Sequence, residues 1–150
     1  MDNIAFFNRL TLALFEQLYR SFPTPTDLDV KALALTVIPE EAEKEEVWNS
    51  SQAAEDAIEF LAEEGFLTHK GSYLEGGTIL QARLTLGGLA ILGSTPDSLE
   101  GRQPLIDRIR KALAGGAKEA ASETVKQLTQ QAFAAAVAAG PMLMASLSGK

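Results

Sequence analysis

Residues 57–69 read AIEFLAEEGFLTH, and residues 79–92 read ILQARLTLGGLAIL. The first phrase begins on a helical face, with Ala57, Ile58 and Leu61 aligned at spacings of one, three and four. It closes on Glu63-Glu64-Gly65, where glycine supplies the left-handed exit that helices prefer. Phe66 to His69 then reads as a strand, Gly71, Gly76 and Gly77 mark a loop, and Thr78 to Leu84 reads as the returning strand. Thr85 caps a short apolar helix that runs through Leu92.

Working back towards the N-terminus, Ser50 and Ser51 are good caps for a helix over 52–64. Glu40 to Glu46 holds five Glu around one Lys and reads as a solvated surface or as the start of that helix. Trp48, beside Asn49 in this polar stretch, reads as a boundary core residue, with an exposed interface anchor as the alternative. Asn3 is a plausible cap for a first helix to about Phe22, with Phe7, Leu10, Leu14 and Leu18 as its buried stripe. Pro23 and Pro25 stop that helix. Thr26 or Asp27 then caps a short second helix that buries Val30, Leu33 and Ala34 and ends at Pro39.

Working forward, residues 94–101 read as a linker rich in Gly, Ser and Pro. Pro104 opens a helix with Leu105, Ile106, Ile109 and Leu113 as its apolar stripe, and Gly115-Gly116 breaks it. The Ala-rich run from Ala117 to Ala139 reads as one more helix. Leu105, Ile109, Leu113, Val125, Leu128 and Ala132 are candidates for a helix–helix seam. Either the tail packs back over the preceding domain, or it pairs with its copy in a dimer; the length of the apolar seam favours pairing. From Gln127 to Gly149 no residue is charged, but Gln130, Gln131, Gly140 and Pro141 interrupt the run and alanine contributes little to insertion.

Taken together, the phrases FLAEEGFLTH (60–69) and ARLTLGGLAIL (82–92) with the glycines between them resemble the second half of a winged helix-turn-helix domain. The resemblance covers about residues 3–93 and identifies no narrower family. It implies a mostly α, α+β fold: a winged-helix-like domain over 1–93 with a two-stranded wing, a linker over 94–101 and a C-terminal helical extension over 102–150. It also implies where nucleic acid would be met, on the early turns of the helix over 52–64 and on the wing. Those positions hold Gln52, Glu55, Asp56 and Glu59, then His69, Lys70, Ser72 and Tyr73, with Arg83 on the returning strand.

Charge opposes that use. The chain has a net charge of −7; residues 1–93 hold 6 basic and 15 acidic side chains, a net of −9, and residues 94–150 hold 7 and 5, a net of +2. Phosphate contacts need Lys, Arg or well-placed neutral donors. The expected function is therefore a non-enzymatic regulatory or adaptor module acting through protein–protein contacts and self-association. A DNA-binding transcriptional regulator is the runner-up, and a membrane-associated protein acting through residues 127–149 is a weaker third.

No catalytic, cofactor or metal site is expected. There is no cysteine, and His69 is the only histidine, which reads as structural. The Glu40–Glu46 run lacks the alternating Asp/Asn and fixed glycine of a calcium loop. Gly76-Gly77 and Gly87-Gly88 precede no Gly-Lys-Ser/Thr phrase, so turns and close packing explain them better than phosphate binding. The first ten residues lack the basic flank of a secretory signal, and the absence of cysteine fits a reducing cytoplasm.

Overall fold

The first helix, α1 (Asn3–Ser21), starts one residue earlier than its sequence suggests, because Asp2 is the cap: its Oδ1 accepts the Ala5 N–H at 2.8 Å. The computed structural model describes residues 2–73, 76–95 and 103–147, with residues 140–147 given by backbone alone. Leu10, Leu14 and Leu18 are buried as the stripe requires, and Phe7 is half-buried.

Beyond the prolines the chain forms a strand, β1 (Thr26–Asp29), where a helix start was expected. Leu28 is buried between exposed Asp27 and Asp29, the period-two burial of a strand, and β1 finds its partner far along the chain. The cap of α2 (Val30–Leu35) is Asp29 instead of Thr26 or Asp27, and its Oδ1 accepts the Ala32 N–H at 3.0 Å. Val30, Leu33 and Ala34 face inward as expected.

The helix before β2, α3 (Lys44–Glu63), is longer than the expected 52–64. Ser50 and Ser51 are not its caps but lie within it, and Ser51 Oγ donates to the Val47 carbonyl at 2.9 Å. A serine hydroxyl satisfied one turn back leaves the helix intact. Glu45 and Glu46 fall in the first turn, where carboxylates oppose the positive end of the helix dipole. Ala54, Ala57, Ile58 and Leu61 are buried, and Gly65 takes a φ of 91°.

The sheet has three antiparallel strands instead of two, in the order β1-β3-β2. β2 is only Leu67–Thr68, shorter than the expected 66–69, and β3 spans Thr78–Leu84. Thr26 pairs with Ala82 and Leu28 with Ile79, so β3 carries a bulge. Gln81 sits in it at a φ of 51°, and its N–H donates to Asp27 Oδ1 at 2.9 Å.

Thr85 caps α4 (Leu86–Gly93) and fixes it to the sheet. Its Oγ1 donates to the Gly65 carbonyl at 2.6 Å and accepts the Gly88 N–H at 2.9 Å. Gly88 packs so closely that a Cβ there would lie 2.3 Å from the Phe66 carbonyl oxygen.

Of the expected linker, only Ser94 and Thr95 lie within the described residues. α5 spans Leu105–Ala112, and α6 spans Ser122–Leu147. Ala117 to Ala121 therefore form a turn, not the first turn of a helix. Arg9 explains the change: its Nη1 donates to the carbonyls of Ala117 and Ala120 at 2.8 and 2.7 Å, and its Nη2 to Ser122 Oγ at 2.9 Å. Carbonyls turned to a guanidinium on α1 do not extend a helix ladder.

The six seam candidates are placed by this docking. Leu105, Ile109, Val125, Leu128 and Ala132 are buried in the same cluster as Leu10 and Phe15, and Leu113 packs half-buried against it. The tail packs back over the preceding elements, so the seam reserved for a second copy is filled from within the chain. No helix among the described residues is long and apolar enough to cross a membrane. The whole is mostly helical with a small antiparallel sheet, an α+β fold.

Two predictions test this packing. Arg9→Met should destabilise the chain by about 3 kcal/mol in urea unfolding, because charge-assisted hydrogen bonds to three acceptors are lost together. Arg9→Lys should recover only part of it, since an ammonium cannot reproduce the planar fork. Gly88→Ala should lower stability by about 2–3 kcal/mol, as the added methyl meets backbone. Gly93→Ala, where a Cβ meets nothing within 4 Å, should raise stability by up to about 1 kcal/mol in the same urea unfolding.

Candidate interaction surface

Successive residues of a helix diverge by about 100°, so α3 shows different side chains to each neighbour. Towards α2 it presents Val47, Trp48, Ser51, Gln52 and Glu55, which line a cleft of about 570 Å³ with Val30, Lys31 and Leu35. Towards the N-terminal turns of α1 it presents Glu46, Asn49, Asp56 and Phe60, which line an open groove of about 1120 Å³ with Asp2 and Ile4. The stripe between them is buried.

The four residues expected to form one interaction face are consequently divided. Gln52 is exposed and lines the cleft. Glu55 is half-buried beside it, its Oε1 3.6 Å from where a Cβ on Gly76 would sit. Asp56 is exposed and lines the groove. Glu59 belongs to neither, because its carboxylate pairs with His69 Nε2.

That pair joins α3 to the exit of β2. His69 Nδ1 accepts the Gly71 N–H at 2.8 Å, so both ring nitrogens are engaged and the ring holds the strand exit against α3. Lys70 is exposed, with its backbone N–H donating to the Leu80 carbonyl at 2.8 Å. Ser72 bridges to Ile79, and Tyr73 is exposed. Arg83 lies on the sheet opposite Thr68, its Nη1 donating to the Pro23 carbonyl at 3.3 Å. Lys70 and Arg83 are the cations of this region, against Glu55, Asp56, Glu59 and Glu63 on the adjoining helix.

Trp48 corrects the sequence expectation of a boundary core residue: it is 64% exposed. Once the helix begins at Lys44, position 48 turns away from the stripe set by Ala54, Ala57, Ile58 and Leu61. Phe60 and Ile4 are also large and exposed, at 48% and 61%. Phe60 carried a legible signal, since it stands one residue off the apolar stripe. Ile4 carried none, because it falls in register with Phe7.

Among the described residues no group of three or more His, Asp or Glu is placed to hold a metal ion. The chain matches no family model, and comparison with curated proteins and with solved structures also finds no match.

The Glu59–His69 contact joins α3 to the segment after β2 but is partly solvated, with Glu59 47% exposed. A double-mutant cycle with Glu59→Ala and His69→Ala should give a coupling of about 0.5–1 kcal/mol in denaturant unfolding, the range of exposed pairs. A coupling near zero would remove the contact as a tie between α3 and the segment after β2.

Proposed function

We propose that this chain is a non-enzymatic, winged-helix-like regulatory or adaptor module that works through protein–protein contacts made by α3 and its flanking surfaces. The element order α1-β1-α2-α3-β2-β3, with the sheet ordered β1-β3-β2, supports the winged-helix reading. In such a domain α3 is the helix that would enter a DNA groove.

One observation carries the protein-facing reading. Beyond its first residue, α3 has no Lys or Arg, and it displays Glu45, Glu46, Asp56, Glu59 and Glu63 at its surface. Duplex DNA carries one negative charge per about 1.7 Å of axis, and affinity comes largely from cations that displace its counterions. A carboxylate-bearing helix works against that term. The exposed apolar side chains beside it, Trp48, Phe60, Ile4 and Leu35, are the kind that anchor protein interfaces.

Self-association through Leu105, Ile109, Leu113, Val125, Leu128 and Ala132 is not part of this proposal, because those residues pack within the chain's own core. His69, the only histidine, has its ring nitrogens engaged by the Glu59 carboxylate and the Gly71 N–H.

The DNA-binding alternative has one observation in its favour, the exposed Lys70 and Arg83 beside the sheet. Filter binding to mixed duplex fragments at low salt separates the two. The protein-facing reading expects no retention. Retention that falls steeply with added salt, and that weakens in Lys70→Ala or Arg83→Ala, would overturn it in favour of a DNA-binding regulator.

A further inference from the structure

We propose that the groove between the N-terminal turns of α1 and α3 is the docking site for a basic amphipathic helix of a partner protein. The proposal rests on the reading of α3 as protein-facing and adds to it the place of contact and the chemistry of the partner.

The floor of the groove is apolar. Ile4 and Phe60 are 61% and 48% exposed, and half-buried Phe7 lines the groove with its ring 5.9 Å from that of Phe60. Two of these are large side chains that the chain itself leaves uncovered. A groove between two helices with such a floor suits the apolar stripe of a third.

The rim is mostly acidic, with Asn3, Asn49 and Ser50 as its neutral polar members. Glu41, Glu43, Glu45, Glu46 and Asp56 line one wall and Asp2 the other, and among the described residues no Lys, Arg or His lines the groove. The N-termini of α1 and α3 both lie here, and each contributes the equivalent of about half a positive charge. Together they offset about one of six carboxylates, so the groove remains strongly negative. The carboxylates are also dispersed: Glu46 and Asp56 are about 15 Å apart along the axis of α3. That distribution fits cations spread over about three turns of a bound helix, not a single ion.

A second copy of the chain is the obvious rival occupant, and α5 with Arg108, Arg110 and Lys111 is its most basic helix. Its apolar residues Leu105, Ile106 and Ile109 are buried in its own core, so it offers charge without the side chains that would fill the floor. Arg110 is moreover engaged by Glu16 at 3.5 Å and stacks over Tyr19. The occupant must bring both features, Lys or Arg flanking an apolar stripe.

The test uses the full chain and a labelled synthetic amphipathic helix with leucine on one stripe and lysine on the rest, followed by fluorescence anisotropy at physiological salt. Because any acidic protein attracts such a peptide weakly, two charge reversals of equal size are compared. Glu45→Lys with Glu46→Lys alters the rim; Glu63→Lys with Glu64→Lys alters exposed acids outside it. The rim pair should weaken binding about tenfold or more and the outer pair less than about threefold. Ile4→Ser, at a side chain already exposed, should also weaken it about tenfold, with an unchanged circular dichroism spectrum as the folding control.

Equal losses from the two charge pairs, or no loss in Ile4→Ser, would overturn the groove and leave only diffuse attraction. Amide shift changes centred on Leu35 and Trp48 would overturn it in favour of the α2–α3 cleft, and the protein-facing reading would stand. Light scattering that shows a dimer dissociated by Ile4→Ser would assign the groove to a second copy and overturn the proposal. No peptide binding overturns it as well; coupled with salt-sensitive retention of duplex DNA, it would remove the protein-facing reading too.

Discussion

A guanidinium taken out of water costs several kcal/mol unless acceptors surround it, and Arg9 is only 7% exposed with no carboxylate against it. Its acceptors are two carbonyls and one hydroxyl in the turn that precedes α6. The turn depends on Arg9 to break the alanine run, and Arg9 depends on the turn for its solvation. Each arrangement supports the other, so the N-terminal helix and the C-terminal helices form a single packing problem. This is why the tail buries Val125, Leu128 and Ala132 against the elements before it instead of standing free.

The same docking sets the outer surface. Phe133 of α6 stacks on Phe7 at 5.8 Å and meets Phe66 at 6.0 Å, and Phe66 lies 5.3 Å from Phe15 at the centre of the core. Phe60 touches the outer end of this row through Phe7. The floor of the α1–α3 groove is thus the exposed end of a continuous line of rings, held from behind by α6. Close packing transmits displacement, so the shape of the groove is tied to the seating of the tail although no tail residue among the described ones lines it.

What the sequence made legible was local. Pro23 and Pro25, Gly65 and Thr85 act through the backbone within one or two residues of themselves, and each punctuates the chain where its chemistry predicts. What it hid depends on partners distant in the chain. β1 is a strand because β3 lies beside it, more than fifty residues on, and Asp27 to Asp29 alone also fit a helix start. Arg9 is an interior residue only because its acceptors come from residues 117–122. The seam spacing from Leu105 to Ala132 was real, but a heptad-like stripe does not say whether its partner is another chain or the same one. Ser50 and Ser51 misled because a serine hydroxyl serves equally as a cap or as a donor one turn back, and with the start of α3 misplaced, the exposed face of Trp48 and the halves of the candidate site were misplaced too.

The acids of the α3 region can be sorted by what the fold asks of them. Asp2 caps α1, Glu45 and Glu46 complement the dipole of α3, and Glu59 holds His69. Each of these contributes about 0.3–1 kcal/mol to the fold and needs no ligand. Glu41, Glu43 and Asp56 are different. Glu43 stands at the cap position of α3 without capping it, Glu41 precedes the helix, and Asp56 lies mid-helix, beyond the reach of the terminal dipole. Among the described residues none of these three carboxylates has a hydrogen-bonded or ionic partner, and all three residues border the groove. Carboxylates that the fold does not use, collected around apolar side chains that the fold does not cover, are best accounted for by something outside the chain that uses both.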